Sequence, residues 1–225
     1  MQIEFLLGKA KTGKSTYIYS KIKENVDFNK KSILFVPSQK RAITEENYMK
    51  QLKLKGIIGV NITTISSFIL EKLKNSNLNY DESKLTKLDK KILLSKTILE
   101  NNDIFDTFAA VKNKQGFIEN IYMYMDIFKK ENIDVEKLKN ISLGDKILEN
   151  KLSEVVKLYS KYLSNMNESF LNTLDEIELF IQKISNKYDF SKVDVFFDGY
   201  NNFTNTELLF IETLLKGGAS VTISL

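Results

Sequence analysis

Residues Ile3-Glu4-Phe5-Leu6-Leu7 form an apolar run that breaks into Gly8-Lys9-Ala10-Lys11-Thr12-Gly13-Lys14-Ser15 and then into a helical pattern. The spacing is G-x-x-x-x-G-K-S, set between a strand and a helix. A loop of this kind curls its backbone so that several N–H groups converge on one point, where they can hold a phosphate. Lys14 supplies positive charge for the outer phosphates, and the Ser15 hydroxyl is placed to bind Mg²⁺. The pattern predicts a nucleotide-phosphate loop at Gly8, Lys9, Ala10, Lys11, Thr12, Gly13, Lys14, Ser15 and Thr16. It also constrains the fold, because such a loop works where a strand of a parallel sheet hands over to a helix.

The rest of the chain fits that frame. Ile18, Ile22 and Val26 recur every four residues, on one face of the helix behind the loop. Ser32-Ile33-Leu34-Phe35-Val36 reads as a buried parallel strand stopped by Pro37, the sole proline. Tyr48, Met49 and Leu52 mark the apolar side of the next helix. Val60 to Thr64 reads as a third strand, and Ile65, Phe68, Ile69 and Leu73 mark the helix after it. Three strand-helix units in succession predict a doubly wound parallel sheet.

From about residue 80 to 187 no strand is evident, and four apolar stripes at helical spacing take over. They are Leu88, Ile92 and Leu99; Phe117, Ile121, Tyr124, Met125 and Phe128; Leu148, Leu152, Val155, Tyr159 and Tyr162; and Leu174, Ile177, Ile181 and Ile184. Aromatics in such stripes are read as core rather than as platforms for bases. The sheet resumes at Val193 to Phe197 and delivers Asp198 at its tip, where a carboxylate would hold Mg²⁺ opposite Ser15. Thr204 and Glu207 form a capping box for a further helix, and Ala219 to Leu225 reads as a last strand. The expected organisation is an α/β P-loop domain over 1–79 and 188–225, interrupted by an all-helical insertion over 80–187.

Composition narrows the chemistry. The chain has 225 residues, 43% of them hydrophobic, with no Cys and no His. Disulfides, Cys/His zinc sites, iron–sulfur ligation and histidine catalysis within these residues are thereby excluded. A cytoplasmic location is the expectation, since Met1 leads straight into the first strand without a signal peptide and no apolar run approaches a membrane span. A formal net charge of +4 permits nucleic acid as a partner without requiring it. Arg41 is the only arginine. Phosphoryl-transfer enzymes commonly use arginines against transition-state charge, so the chain is poorly equipped to hydrolyse ATP alone.

Taken together, the N-terminal phosphate loop, Val36-Pro37-Ser38-Gln39, Ile62-Thr63-Thr64-Ile65-Ser66-Ser67-Phe68, the helical insertion and Phe196-Phe197-Asp198-Gly199-Tyr200-Asn201-Asn202-Phe203-Thr204 resemble a known family. It is the N-terminal helicase-like region of the B subunit of bacterial ATP-dependent helicase/deoxyribonuclease, the AddB or RexB family. The resemblance spans essentially the whole chain. It implies a RecA-like P-loop domain and a helical subdomain in the 1A/1B arrangement of superfamily 1 helicases. It further implies ATP and Mg²⁺ as cofactors, an A subunit as partner, and processing of double-stranded DNA ends for homologous recombination. Gly8, Gly13, Lys14 and Ser15 would then contact phosphate and Mg²⁺, with Asp198 as the second-motif acid. Ser38, Gln39, Lys40, Arg41 and Thr64 would lie in loops that touch single-stranded DNA. The family's iron–sulfur cluster belongs to a C-terminal nuclease domain outside these residues.

The sequence departs from a working motor. Gly199 stands where the second motif places the glutamate that activates water, so no catalytic residue is assigned. Only seven residues precede Gly8, too few for an adenine-reading segment. The chain reads as part of a longer protein. Two other readings stay open: a small-molecule phosphotransferase of the nucleotide-kinase type, and a degenerate P-loop scaffold for a partner protein.

Overall fold

A computed structural model describes residues 2–76, 86–169, 176–183 and 185–225. Five strands, β1 (Gln2–Leu6), β2 (Lys31–Phe35), β3 (Val60–Thr63), β4 (Val193–Phe197) and β5 (Ser220–Ser224), form one sheet in the order β1-β5-β4-β2-β3. Every pairing is parallel. With helices on both faces, this is the RecA-like arrangement that the phosphate loop demands.

Handedness explains which helix covers which face. Helices α1 (Lys14–Asp27) and α2 (Arg41–Leu52) connect β1 to β2 and β2 to β3, stepping across the sheet in one direction. The later connections, into β4 and on to β5, step back the other way. Right-handed crossovers that advance in opposite directions must lie on opposite faces. Accordingly Ile18, Tyr19, Ile22 and Tyr48 pack on the side of Leu34, Ile62 and Phe196. Helices α3 (Ile65–Lys74), α8 (Glu176–Lys183) and α9 (Asn205–Lys216) pack with Phe35, Val195, Phe197, Val221 and Ile223, as strand alternation requires.

The second face is dominated by aromatics. Phe35 stacks on Phe197 at 4.9 Å between ring centroids, and meets Phe68 and Phe210 edge-on at 5.3 and 5.5 Å. Phe180 of α8 closes the cluster against Phe210 at 5.6 Å. Each such ring buries a large apolar area in an electrostatically favoured geometry.

Helices α4 (Lys87–Glu100), α5 (Gln115–Lys130), α6 (Val135–Lys139) and α7 (Lys146–Ser169) make a second compact unit with its own core. Leu94, Ile98, Ile121, Met125, Leu158, Tyr159 and Tyr162 are among its buried residues.

Three expectations change here. The boundary expected at 187/188 moves, because α8 groups with the sheet unit, where Ile177 and Ile181 pack on the core beneath α3 and α9. Leu174 and Ile184, from the same stripe, lie outside the described residues. In α4 the stripe Leu88, Ile92 and Leu99 is exposed, and the buried side is Leu94, Thr97 and Ile98. Both sides of this helix carry apolar residues, so periodicity alone could not choose between them. In the remaining stripes, Tyr124 and Leu148 are exposed while their neighbours pack inward.

The helical unit is held at one point by a buried acid. Glu154, only 5% exposed, accepts hydrogen bonds from the backbone N–H groups of Asp106, Thr107 and Phe108 at 3.1, 2.6 and 3.1 Å. Burial pushes its carboxyl up, but the bonds from Thr107, Phe108 and Asp106 outweigh that and lower it overall. A lowered folded-state value stabilises the ionised form. The contribution is complete above the ordinary glutamate value of 4.5 and is lost as pH falls through the depressed one. Glu154→Ala strands three N–H groups and should cost roughly 2 to 4 kcal/mol in urea unfolding at neutral pH. The difference between variant and parent should shrink as the pH is taken below 4.5.

Candidate phosphate and metal site

The all-parallel sheet brings the carboxyl ends of its strands to one edge, where α/β proteins bind ligands. The loop after β1, the turn after β2, Thr64 after β3, Asp198 after β4 and Ser224 at the end of β5 all lie there.

In the loop, Gly13 adopts φ +92 and serves as the N-cap of α1 without any side-chain cap. The first turn of α1 contains no acid. Its leading N–H groups and positive dipole end are therefore left for an anion. The Lys14 ammonium bonds to the carbonyls of Gly8 and, at 2.9 Å, Lys9. Thr12 Oγ1 donates to Lys9 O at 2.8 Å. A Cβ at position 8 would sit 2.6 Å from Thr12 Oγ1, so any larger residue there would force Thr12 to move.

Asp198 is 8% exposed and follows β4 directly, its N–H bonded to Phe35 O at 3.0 Å. Alternation along β4 turns it to the side of α1, with Phe196. The β4–β5 register pairs Phe197 with Ile223, which sets Ser224 beside Asp198. Ser224 Oγ donates to Asp198 Oδ1 at 2.5 Å and fixes one carboxylate oxygen. Tyr19 lies on the same side, its hydroxyl pushed up to about 12, first by burial and then by the Asp198 charge.

A cavity of about 600 Å³ lies against Asp198 and Tyr19. Ser15, Thr16 and Tyr19 of α1, Lys40 and Thr44 near the start of α2, and Asp198 with Gly199 line it. The sequence-expected Mg²⁺ pair, Ser15 and Asp198, thus shares one cavity. A hydroxyl and a single carboxylate suit Mg²⁺ that keeps most of its ligands as water and phosphate oxygen. Among the described residues no group of three Asp or Glu forms an all-protein metal cage.

The loop residues expected at DNA have varied surroundings. Ser38 and Gln39 are exposed in a single 3₁₀ turn, Ser38–Lys40. Arg41 begins α2 and pairs with Glu45, Nε to Oε1, at 3.0 Å. Thr64 caps α3, its Oγ1 accepting from Ser67 N at 3.0 Å. Lys40 instead turns into the cavity, its Nζ donating to Gly199 O at 2.7 Å.

The sequence reading missed Ser224 as the partner of Asp198, and Tyr19, Thr44, Asn47 and Gln51 as cavity lining. The register argument for Ser224 needs the strand order, which no local pattern contains. The remaining four follow from α1 and α2 facing the same side of the sheet.

Gly199 has φ +79, and a Cβ there would come within 3.0 Å of Lys40 Cδ. The position is built around a glycine. Glu207, the next acid along the chain after Asp198, accepts from Thr204 N at 2.9 Å in the capping box of α9 and is engaged there.

The family model described as ADDB, N-terminal matches residues 5–225. The chain belongs to that family. Three similar proteins are each named as the B subunit of an ATP-dependent helicase/deoxyribonuclease. That of Clostridium kluyveri is 28% identical over 229 residues, covering 100% of this chain and 20% of the relative. That of Bacillus pumilus is 28% identical over 236 residues, 99% of this chain and 20% of the relative. That of Listeria welshimeri is 24% identical over 227 residues, with 100% and 20% covered. The chain therefore spans about a fifth of the length of the relatives it matches. Among the described residues no helix is long and apolar enough to cross a membrane.

Gly199→Glu should not create a water-activating base. A non-glycine residue at positive φ costs about 1 kcal/mol, and the new side chain must displace Lys40. The expected result is a lowered melting temperature and ATP turnover no higher than that of the parent, measured by phosphate release.

Proposed function

We propose that this chain is the helicase-like N-terminal part of a DNA-break-processing subunit, and that its P-loop holds nucleotide phosphate and Mg²⁺ without breaking the bond. The observation that carries the reading is the shared cavity of Ser15 and Asp198 behind a loop whose helix start has no acid and no side-chain cap. On this reading the loop N–H groups and Lys14 would take the phosphates, and Ser15 and Asp198 would hold Mg²⁺, with Ser224 orienting the carboxylate. Lys14 must leave its carbonyl partners to do so. Magnesium, when bound, would neutralise phosphate charge.

Hydrolysis is not part of the proposal. Gly199 offers no base, Glu207 is engaged, and Arg41 is paired along its own helix. Family membership supports a place beside an A subunit, in the cytoplasm, acting on DNA ends. Ser38 and Gln39, exposed on the carboxyl edge, are the groups freest to meet a single strand. The nucleotide-kinase alternative needs lid arginines that the sequence does not provide. The scaffold alternative differs only in giving the loop no ligand.

Titration with a fluorescent ATP analogue and Mg²⁺ tests this. Weak binding is expected, reduced about tenfold or more by Lys14→Ala and less by Asp198→Asn. Phosphate release should stay at background, and no nucleoside monophosphate should be phosphorylated. Binding indifferent to Lys14→Ala, or vigorous turnover by the parent chain, would overturn the proposal.

A further inference from the structure

The helical unit contains a groove of about 700 Å³ that the P-loop reading does not use. Its floor is apolar: Ile104, Leu138, Leu152 and Val156. Its rim on α7 is basic and hydroxylic: Ser153, Lys157, Ser160 and Lys161. These α7 positions recur at spacings of three and four, so they form one face of the helix. From Glu149 to Lys161 that face runs roughly 18 Å. At one end the apolar surface continues outward through Ile141, Leu143, Ile147 and Leu148, all exposed.

The charge pattern decides what fits. Described acids of α6, of α7 and of their flanking loops are already engaged locally. Asp134 caps α6 by accepting from Lys137 N at 2.7 Å, and Glu136 pairs with Lys139 at 2.7 Å. Asp145 accepts from the N–H groups of Ile147 and Leu148 at 2.8 and 3.2 Å. Glu149, the only acid lining the groove, accepts from Ser142 Oγ and Leu143 N at 3.3 and 3.2 Å. Glu154 is buried, and its oxygens are taken by the N–H groups of Asp106, Thr107 and Phe108. Lys157 and Lys161, by contrast, have no carboxylate partner among the described residues. The groove therefore joins an apolar floor to two free cations one helical turn apart.

From this we infer that the groove is a docking site for an acidic, amphipathic helical segment of a partner polypeptide. Leucine-like side chains of the segment would enter between α6 and α7, and carboxylates beside them would meet Lys157 and Lys161. A nucleic acid strand would satisfy the lysines, but the groove lining offers no aromatic ring on which its bases could stack. The inference is independent of the P-loop reading, since it involves none of the same residues.

Two fluorescent probe peptides of about 16 residues test it, sharing leucines at i, i+3, i+4 and i+7 and flanked by glutamates in one and lysines in the other. Anisotropy titrations with the 225-residue chain should show the glutamate peptide binding about tenfold more tightly than the lysine peptide. The preference should reverse in Lys157→Glu/Lys161→Glu, and both peptides should weaken in Ile141→Ser. These side chains are exposed, so the variants should keep the parent's circular dichroism and melting temperature. No binding of either peptide, equal binding of both, or no response to the double reversal would overturn the proposal. So would an oligothymidine that binds the parent and displaces the glutamate peptide, because the groove would then serve nucleic acid.

Discussion

The pairing of β4 with β2 is the constraint on which the rest of the structure depends. The two strands are separated in sequence by the whole helical unit, yet their register is fixed residue by residue, from Lys31 with Val193 to Phe35 with Phe197. The Phe35–Phe197 stack locks that register from one face, and Leu34 and Phe196 support it from the other. A slip of one residue would turn every side chain of β4 to the wrong face. Asp198 would then point away from α1, and the cavity would lose its carboxylate. The long insertion is tolerated because closing a larger loop costs little more than closing a moderate one.

Much of this was legible in the sequence. The strands announced themselves as short apolar runs, and the glycine loop fixed their parallel arrangement. The family followed from the segment around Asp198 as much as from the loop. What stayed hidden was non-local. Ser224 looked like an ordinary strand serine, and only the strand order sets it against Asp198. Lys40 looked like a member of a basic loop, and only the turn at Gly199 draws it into the cavity. Glu154 sits between Ser153 and Val155 of a helix, and nothing nearby in sequence reveals the three amide groups that bind it. The α4 stripe misled for a different reason: an apolar residue at helical spacing reports a face, not what covers that face.

Gly199 shows how a missing catalytic group can be a feature of the local geometry rather than a simple loss. A left-handed backbone and a lysine within 3.0 Å make a side chain there costly. Glu207, the next acid along the chain after Asp198, is committed to a helix cap. What the cavity does bring together is the Ser15 hydroxyl and the Asp198 carboxylate.

The position of β1 has a consequence for how the molecule is made. This strand carries the phosphate loop, yet among the described residues it lies at the sheet edge and pairs only with β5. Glu4 and Thr222, which meet across that pairing at 3.4 Å, are 218 residues apart. On a ribosome adding about 5 to 20 residues per second, β1 waits roughly 10 to 40 seconds for its neighbour. Throughout that interval Ile3 and Phe5, still 44% and 51% exposed in the finished sheet, have no β5 beside them. The phosphate loop is thus translated well before the neighbour that pairs with its strand. Nascent chains must meanwhile be kept from pairing with each other through that bare strand.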